Sequence, residues 1–221
     1  MWKNQSKPEF GTLSDLKVVS ASSSLAGPFI ATIMGEYGAD VIWVENADMP
    51  DFTRGTPNWQ CEGERRNCRN IALRLKSDEG KEILKELIAD ADIFIESSKG
   101  GQFDRLGLSD EVLWEINPKL VIGHVSGFGQ TGVPEYVKRP SFDAIGQAFS
   151  GYLRENEAPG VAPFAVGQFA SDYTTALYTC IALLAAWHHA QKTGQGDSID
   201  SAQYEFMMRT SIYSIDYFTN H

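Results

Sequence analysis

Residues 17–45 read KVVSASSSLAGPFIATIMGEYGADVIWVE, and this stretch decides the fold. Lys17-Val18-Val19-Ser20, entered from the turn Leu13-Ser14-Asp15-Leu16, is an apolar run of strand length. A small-residue loop follows, Ala21 to Ala26. Gly27-Pro28 then opens a helix that runs to about Tyr37, because the first helical turn tolerates a residue without an N–H. Phe29, Ile30, Ile33 and Met34 recur at helical spacing, and Gly38 supplies a stop. Asp40-Val41-Ile42-Trp43-Val44-Glu45 is a second strand. Two strands joined through a helix form a βαβ unit, the crossover that parallel strands require.

The pattern repeats downstream. Ser77-Asp78-Glu79-Gly80 caps a helix running to about Ala89, with Ile83, Leu84, Leu87 and Ile88 on one face. Asp92 to Glu96 is a strand, Ser109-Asp110-Glu111 opens a helix that Asn117-Pro118 ends, and Lys119 to Val125 is a further strand. The alternation predicts an α/β fold, a doubly wound, mostly parallel sheet with helices on both faces. Such sheets bind ligands at the carboxyl ends of their strands, which singles out three loops: Ala21–Ala26, Ser97–Arg105 and Ser126–Gly132. Met49 to Asn70, with Arg54, Arg65, Arg66 and Arg69 and little periodicity, reads as a long charged surface loop. Beyond Gly132 the expected elements are a helix over 141–151 and a turn-rich link to Pro163. A long helix to about Gln191, a short strand at Ser198-Ile199-Asp200 and a last helix from Ala202 to about Phe218 complete the chain.

The net charge of −10 argues against nucleic acid as the main partner but leaves room for a local basic pocket holding an anionic ligand. No apolar run reaches membrane-spanning length, and Met1 to Pro8 lacks a signal-peptide core. The three cysteines, Cys61, Cys68 and Cys180, form no CxxC pair; reduced thiols in a cytoplasm fit best, and no metal site is expected.

Gly127-Phe128-Gly129-Gln130-Thr131-Gly132 matches GxGxxG after a strand, but Val133-Pro134 follows where a dinucleotide fold opens a helix on the third glycine. A turn that lets backbone approach a ligand is the better use of these glycines. Lys76, Lys99 and Arg105 each stand near the end of a strand, where they form either a phosphate site or separate surface charges. His124 reads as a satisfied core histidine, and His188 and His189 as structural residues near a helix C-terminus. Asp172, in Phe169-Ala170-Ser171-Asp172-Tyr173, has two readings. It is an N-cap of the long helix, or it is a nucleophilic carboxylate held at a helix N-terminus.

Several blocks together resemble the N-terminal part of the class III CoA-transferases, the family of formyl-CoA transferase and L-carnitine CoA-transferase. They are Ala26-Gly27-Pro28-Phe29, residues 37–46, Asp92 to Gly100, Asn117 to Ile122, Ser126 to Gln130 and Ala148 to Tyr152, and with their surroundings they span most of 10–218. Residues 42–46 and 149–153 are most similar to L-carnitine CoA-transferases. The resemblance implies that residues 1–221 form the N-terminal part of a large CoA-binding and catalytic domain. A small domain and a returning segment are then absent from this chain, and the full-length protein is an interlocked homodimer. Counting back from Leu183-Leu184-Ala185-Ala186 places the family's catalytic aspartate on Asp172. Its carboxylate attacks an acyl-CoA to give a mixed anhydride, the thiolate returns to form an aspartyl-CoA thioester, and an acceptor acid collects the CoA. Coenzyme A is thus a substrate, with no tightly bound cofactor. The CoA-binding positions fall on Leu73, Lys76, Lys99 and Arg105. Leu25 and Asn46 depart from a glutamine and an arginine of the family. The histidine of the related racemases falls on Phe142, which cannot move a proton, leaving Asp143 as a candidate for orienting Asp172. A carnitine, γ-butyrobetaine or crotonobetaine substrate is expected, with Trp59, Tyr136 and Phe169 as aromatic faces for a trimethylammonium group.

Overall fold

The computed structural model describes residues 10–55 and 59–220. The N-terminal residues read for a leader, and the tip of the 50–70 segment, lie outside the described residues, as does the side chain of Trp59. In chain order the elements are β1 (Lys17–Ala21), α1 (Ala26–Glu36), β2 (Asp40–Asn46), α2 (Trp59–Gly63), β3 (Cys68–Leu73), α3 (Asp78–Ile88), β4 (Ile93–Glu96) and α4 (Gln102–Arg105). Then come α5 (Asp110–Ile116), β5 (Val121–Ser126), α6 (Pro134–Val137), α7 (Asp143–Phe149), α8 (Tyr152–Glu155), α9 (Ala170–Thr193), β6 (Ser198–Ala202), α10 (Gln203–Thr210) and α11 (Ile212–Asn220).

Among the described residues the strands form one six-stranded sheet in the order β3-β2-β1-β4-β5-β6, and every pairing is parallel. Successive strand residues serve opposite faces. Val18 joins Ile30, Met34, Ala176, Leu183 and Ala190 under α1 and α9. Val19 joins Leu84, Leu87, Ile88, Phe103 and Leu113 under α3, α4 and α5. Both faces of the sheet are therefore covered, which is why its strands read as nearly continuous apolar runs. Burial of these side chains supplies the main driving force, roughly 1.5–3 kcal/mol for each fully buried Val, Leu, Ile or Phe.

Local signals set the boundaries. Ser77 caps α3, its Oγ accepting the Gly80 N–H at 3.1 Å, with Asp78 and Glu79 in the first turn. Gly38 leaves α1 at φ +99° and lies against the Phe10 carbonyl, where an added Cβ would come 2.0 Å from the oxygen. Three expectations change. Residues 68–70 belong to β3, and a short 3-10 turn at Phe52–Arg54 and α2 give the 50–70 segment structure of its own. The last helix is two, α10 and α11. The long helix starts at Ala170, so its N-cap is Phe169 rather than Ser171 or Asp172. No helix among the described residues is long and apolar enough to cross a membrane.

Candidate active site

Strand order reverses about β1, which lies between β2 and β4. Loops leaving β1 and β4 must diverge to opposite sides there, opening a crevice at the carboxyl ends of the strands. The three loops expected from the sequence meet at this crevice. Ser23 N–H donates to Ser97 Oγ at 2.9 Å, joining the first two. A cavity of about 170 Å³ contains Asp172, Gln203, Lys99, Arg139, Ser141 and Phe142 in its wall, with Gly127 from the third loop. A second cavity of about 370 Å³ shares Ser23 and Ser98 with the first and extends past Asn46, Lys76 and Phe103.

Asp172 stands in the first turn of α9 and is 6% exposed. The chain enters this helix through Gln168 and Phe169, both at positive φ (71° and 52°), a conformation that costs side-chain-bearing residues of order 1–3 kcal/mol each. No side chain of the entering segment caps it. The cap comes from α7: Asp143 Oδ1 accepts the Ser171 N–H at 2.7 Å and the Asp172 N–H at 3.3 Å, while its Oδ2 accepts from Gln147 Nε2 at 2.5 Å. Asp172 is thereby released from capping. Its Oδ1 accepts a short hydrogen bond from Gln203 Nε2, whose own Oε1 accepts from Ser141 Oγ at 2.7 Å. Burial, with the nearby Asp143 charge second, pushes the Asp172 carboxyl up to about 7; the Gln203 bond pulls the other way. A carboxyl poised there ionises near neutral pH and becomes a stronger base and nucleophile than an exposed aspartate. Gln203, Ser141 and Arg139 were not singled out by the sequence; Gln203 fell in the first turn of the predicted last helix, and the structure extends β6 to Ala202, putting Gln203 at the strand's carboxyl end, where such folds place ligand residues.

The four expected CoA residues separate. Lys99 is in the wall of the Asp172 cavity and Lys76 in that of its neighbour. Arg105 ends α4, and its guanidinium lies back over Gly101, 3.3 Å from where a Cβ would stand, outside both walls. Leu73 ends β3 opposite Asn46; its side chain is in the core and its carbonyl accepts the Ala47 N–H at 3.1 Å. Phe142 presents its ring at the cavity and packs edge-on to Phe52 at 5.9 Å. Tyr136 and Phe169 are absent from the Asp172 cavity wall. Tyr136 packs among Phe128 and Phe149, with the Arg139 guanidinium 4.8 Å above its ring. The glycine motif also finds its use: a Cβ on Gly127 would fall 2.1 Å from Ser141 Cβ, so glycine lets Ser141 reach Gln203.

Two buried charge sets brace the loops. Among its described residues, the 50–70 segment is only partly the solvated loop expected. Arg65, with its side chain 7% exposed, pairs with Asp51 at 2.6 Å and lies over the Trp43 ring at 4.5 Å. Asp51 also accepts the Ser24 N–H at 2.8 Å, and Trp43 Nε1 donates to the Ser22 carbonyl at 3.1 Å, so this segment fixes the β1–α1 loop. On the other side His124 bridges Glu96 (2.8 Å) and Asp110 (3.0 Å). Burial works against its charge, but the hydrogen bonds to Asp110 and Glu96 outweigh it and lift the imidazole to about 10. Glu96 in turn accepts the Ser98 N–H at 2.6 Å, and Gln130 Oε1 accepts the Gly101 N–H at 2.9 Å, holding the loop that carries Lys99.

Known proteins share this sequence pattern and fold. The model of CoA-transferase family III matches residues 13–220. The bile acid CoA-transferase BaiK of Clostridium scindens is 50% identical over 214 residues, 96% of this chain and 48% of that protein. The chain thus spans about half the length of this curated relative. A CAIB/BAIF family protein from Brucella suis superposes with a TM-score of 0.89 at 32% identity, over 96% of this chain and 58% of its own. Rv3272 from Mycobacterium tuberculosis gives a TM-score of 0.87 at 22% identity, over 97% and 60%, a likeness of fold. With the family model matching residues 13–220, the chain belongs to CoA-transferase family III.

Proposed function

We propose that Asp172 is the nucleophile of a CoA-transferase that moves CoA from an acyl-CoA to a free carboxylic acid. The observation that carries this reading is a buried carboxyl, freed from helix capping by Asp143 and raised to about 7, facing a cavity at the sheet's switch point. Its free Oδ2 attacks the thioester carbonyl, the C–S bond breaks, and a mixed anhydride and CoA thiolate result. The thiolate attacks Asp172 Cγ, the Cγ–O bond breaks, and the donor acid leaves an aspartyl-CoA thioester. The acceptor carboxylate and the thiolate then repeat the two steps in reverse. No proton is consumed, so the site need only position the groups and exclude water from the anhydride.

Lys99 and Lys76 serve the CoA phosphates, and Asp143 orients Asp172 and tunes its charge. Arg105 and the backbone at Leu73 complete the nucleotide contacts in this reading. CoA is exchanged as a substrate rather than held as a cofactor. The full-length protein is an interlocked homodimer, for which the exposed Leu177, Tyr178 and Ile181 of α9 offer an apolar face, and it works in the cytoplasm.

BaiK, at 50% identity, favours a bile acid as the acid partner. The carnitine-type reading rests on residues 42–46 and 149–153 and is the competitor; the packing of Tyr136 under Arg139 leaves it without that aromatic face. The deciding experiment incubates the full-length protein with cholyl-CoA or with crotonobetainyl-CoA, quenches with hydroxylamine and maps the hydroxamate by mass spectrometry. Label at Asp172 with one thioester, lost in Asp172→Ala, is the expected result. Turnover retained in Asp172→Ala refutes the mechanism.

A further inference from the structure

We propose that Gln203 is a catalytic residue whose Nε2–H is the oxyanion donor whenever the carboxyl carbon of Asp172 is itself the centre under attack. The proposal rests on the CoA-transfer reading above. In two of the four steps the tetrahedral carbon belongs to the substrate acyl group. In the other two, thiolate attack on the anhydride and acceptor attack on the aspartyl thioester, it is Asp172 Cγ. There Oδ1 gains the negative charge as the incoming sulfur or oxygen bonds to Cγ. It returns to a carbonyl as the leaving carboxylate or thiolate departs. Gln203 Nε2 already donates to this oxygen, while Oδ2 has no hydrogen-bond partner among the described residues.

The amide orientation follows from its two contacts. An ionised Asp172 carboxylate only accepts, so it takes the NH2 end of Gln203, and the Ser141 hydroxyl donating to Gln203 Oε1 at 2.7 Å holds the other end. The residue is 5% exposed, so its amide is shielded from bulk water. Gln203 begins α10 directly after β6, with no intervening loop, so the sheet sets its position. A preorganised donor in a dry site acts where charge develops and needs no reorganisation during the step.

The test is single-turnover intact-mass analysis of the full-length protein mixed with acyl-CoA, in which an acyl adduct marks the anhydride and a CoA adduct the thioester. In Gln203→Met the CoA adduct should form about a hundredfold to a thousandfold more slowly and the acyl adduct accumulate, with KM for acyl-CoA unchanged. The titration midpoint of Asp172 should also rise in this variant, as loss of the bond requires, and the slowing should fall on the two Asp172 Cγ steps and spare acyl-adduct formation, which a merely structural role does not require. CoA-adduct formation within about threefold of wild type overturns the role of Gln203 alone. Absence of either adduct on Asp172 in the wild type overturns the CoA-transfer reading and this inference with it. Should Gln203→Met not fold, Ser141→Ala decides: its amide is free to turn, the thioester step should slow about tenfold, and an unchanged rate overturns the proposal.

Discussion

Gly146 in α7 lies so close to Ser171 in α9 that a Cβ added to it would stand 2.1 Å from the serine Oγ. The same Cβ would come 3.2 Å from Gln203 Cβ, so one missing methyl group lets three helices meet behind Asp172. Gly146→Ala should therefore push α7 away from α9, weaken the cap from Asp143 and cost about 1–3 kcal/mol, the usual range for overpacking. A lowered thermal midpoint checks it; an unchanged one would show that the helices have room to part.

Asp172 links this packing to pH. Its carboxyl is raised to about 7 in the fold, against an ordinary value of about 4 in the unfolded chain. Between those values the folded state holds a proton that the unfolded state has released. Stability from this group is complete below about pH 4, falls as pH rises and is fully lost above about 7. Asp172→Asn removes the effect, so its stability advantage over wild type should grow from pH 4 to pH 8, reaching a few kcal/mol at most. Urea unfolding at both ends of this window measures it, and a pH-independent difference would contradict the assignment.

His124 follows the same sense over a higher pH window. Raised to about 10, it contributes stability that is complete below about 6.5 and lost as pH rises through 10. His124→Leu leaves Glu96, whose side chain is 2% exposed, without its cation and should cost about 3–5 kcal/mol at pH 7. The deficit should shrink in unfolding measured near pH 10.5. A constant deficit would mean that lost packing, not lost charge, explains it.

Asp143 combines a cap with a charge, and two variants separate them. Asp143→Asn keeps an acceptor for the Ser171 N–H but removes the negative charge beside Asp172, so the Asp172 midpoint, followed by carboxyl carbon NMR, should fall below 7. Asp143→Ala removes both and should lower stability by about 1–2 kcal/mol as well. Equal midpoints in wild type and Asp143→Asn would leave burial as the sole cause.

The cavity walls rank the cations. Lys99→Glu and Lys76→Glu alter residues in those walls and should weaken CoA binding about tenfold or more, by the worth of one charge-assisted bond. Arg105→Glu, outside both walls, should do less. Calorimetric titration of full-length protein with CoA gives the order, and a larger loss in Arg105→Glu would reverse it.

The sheet was legible because it is parallel and covered on both faces: Val18-Val19 and Val41-Ile42-Trp43-Val44 announce themselves as unbroken apolar runs. The three loops followed from topology alone. Lys99 lies in one of them and in the cavity wall. What stayed hidden depends on partners far apart in sequence. Ser171-Asp172 looked like a cap because the true acceptor, Asp143, lies 28 residues upstream. The arginines of 50–70 looked solvated because Arg65 finds its carboxylate on Asp51 and its aromatic face on Trp43 only after folding. Gln203 and Ser141 are 62 residues apart, and nothing local to either points to the other.

Ser126 of β5 is in register with Ala202 of β6, at the edge of the sheet. The donor to Asp172 is the very next residue. During folding, a chain in which α9 has formed but this outermost strand has not yet zipped onto its neighbour owns a carboxylate without its companion amide. The reactive centre is thus complete only in molecules whose edge strand has paired with β5.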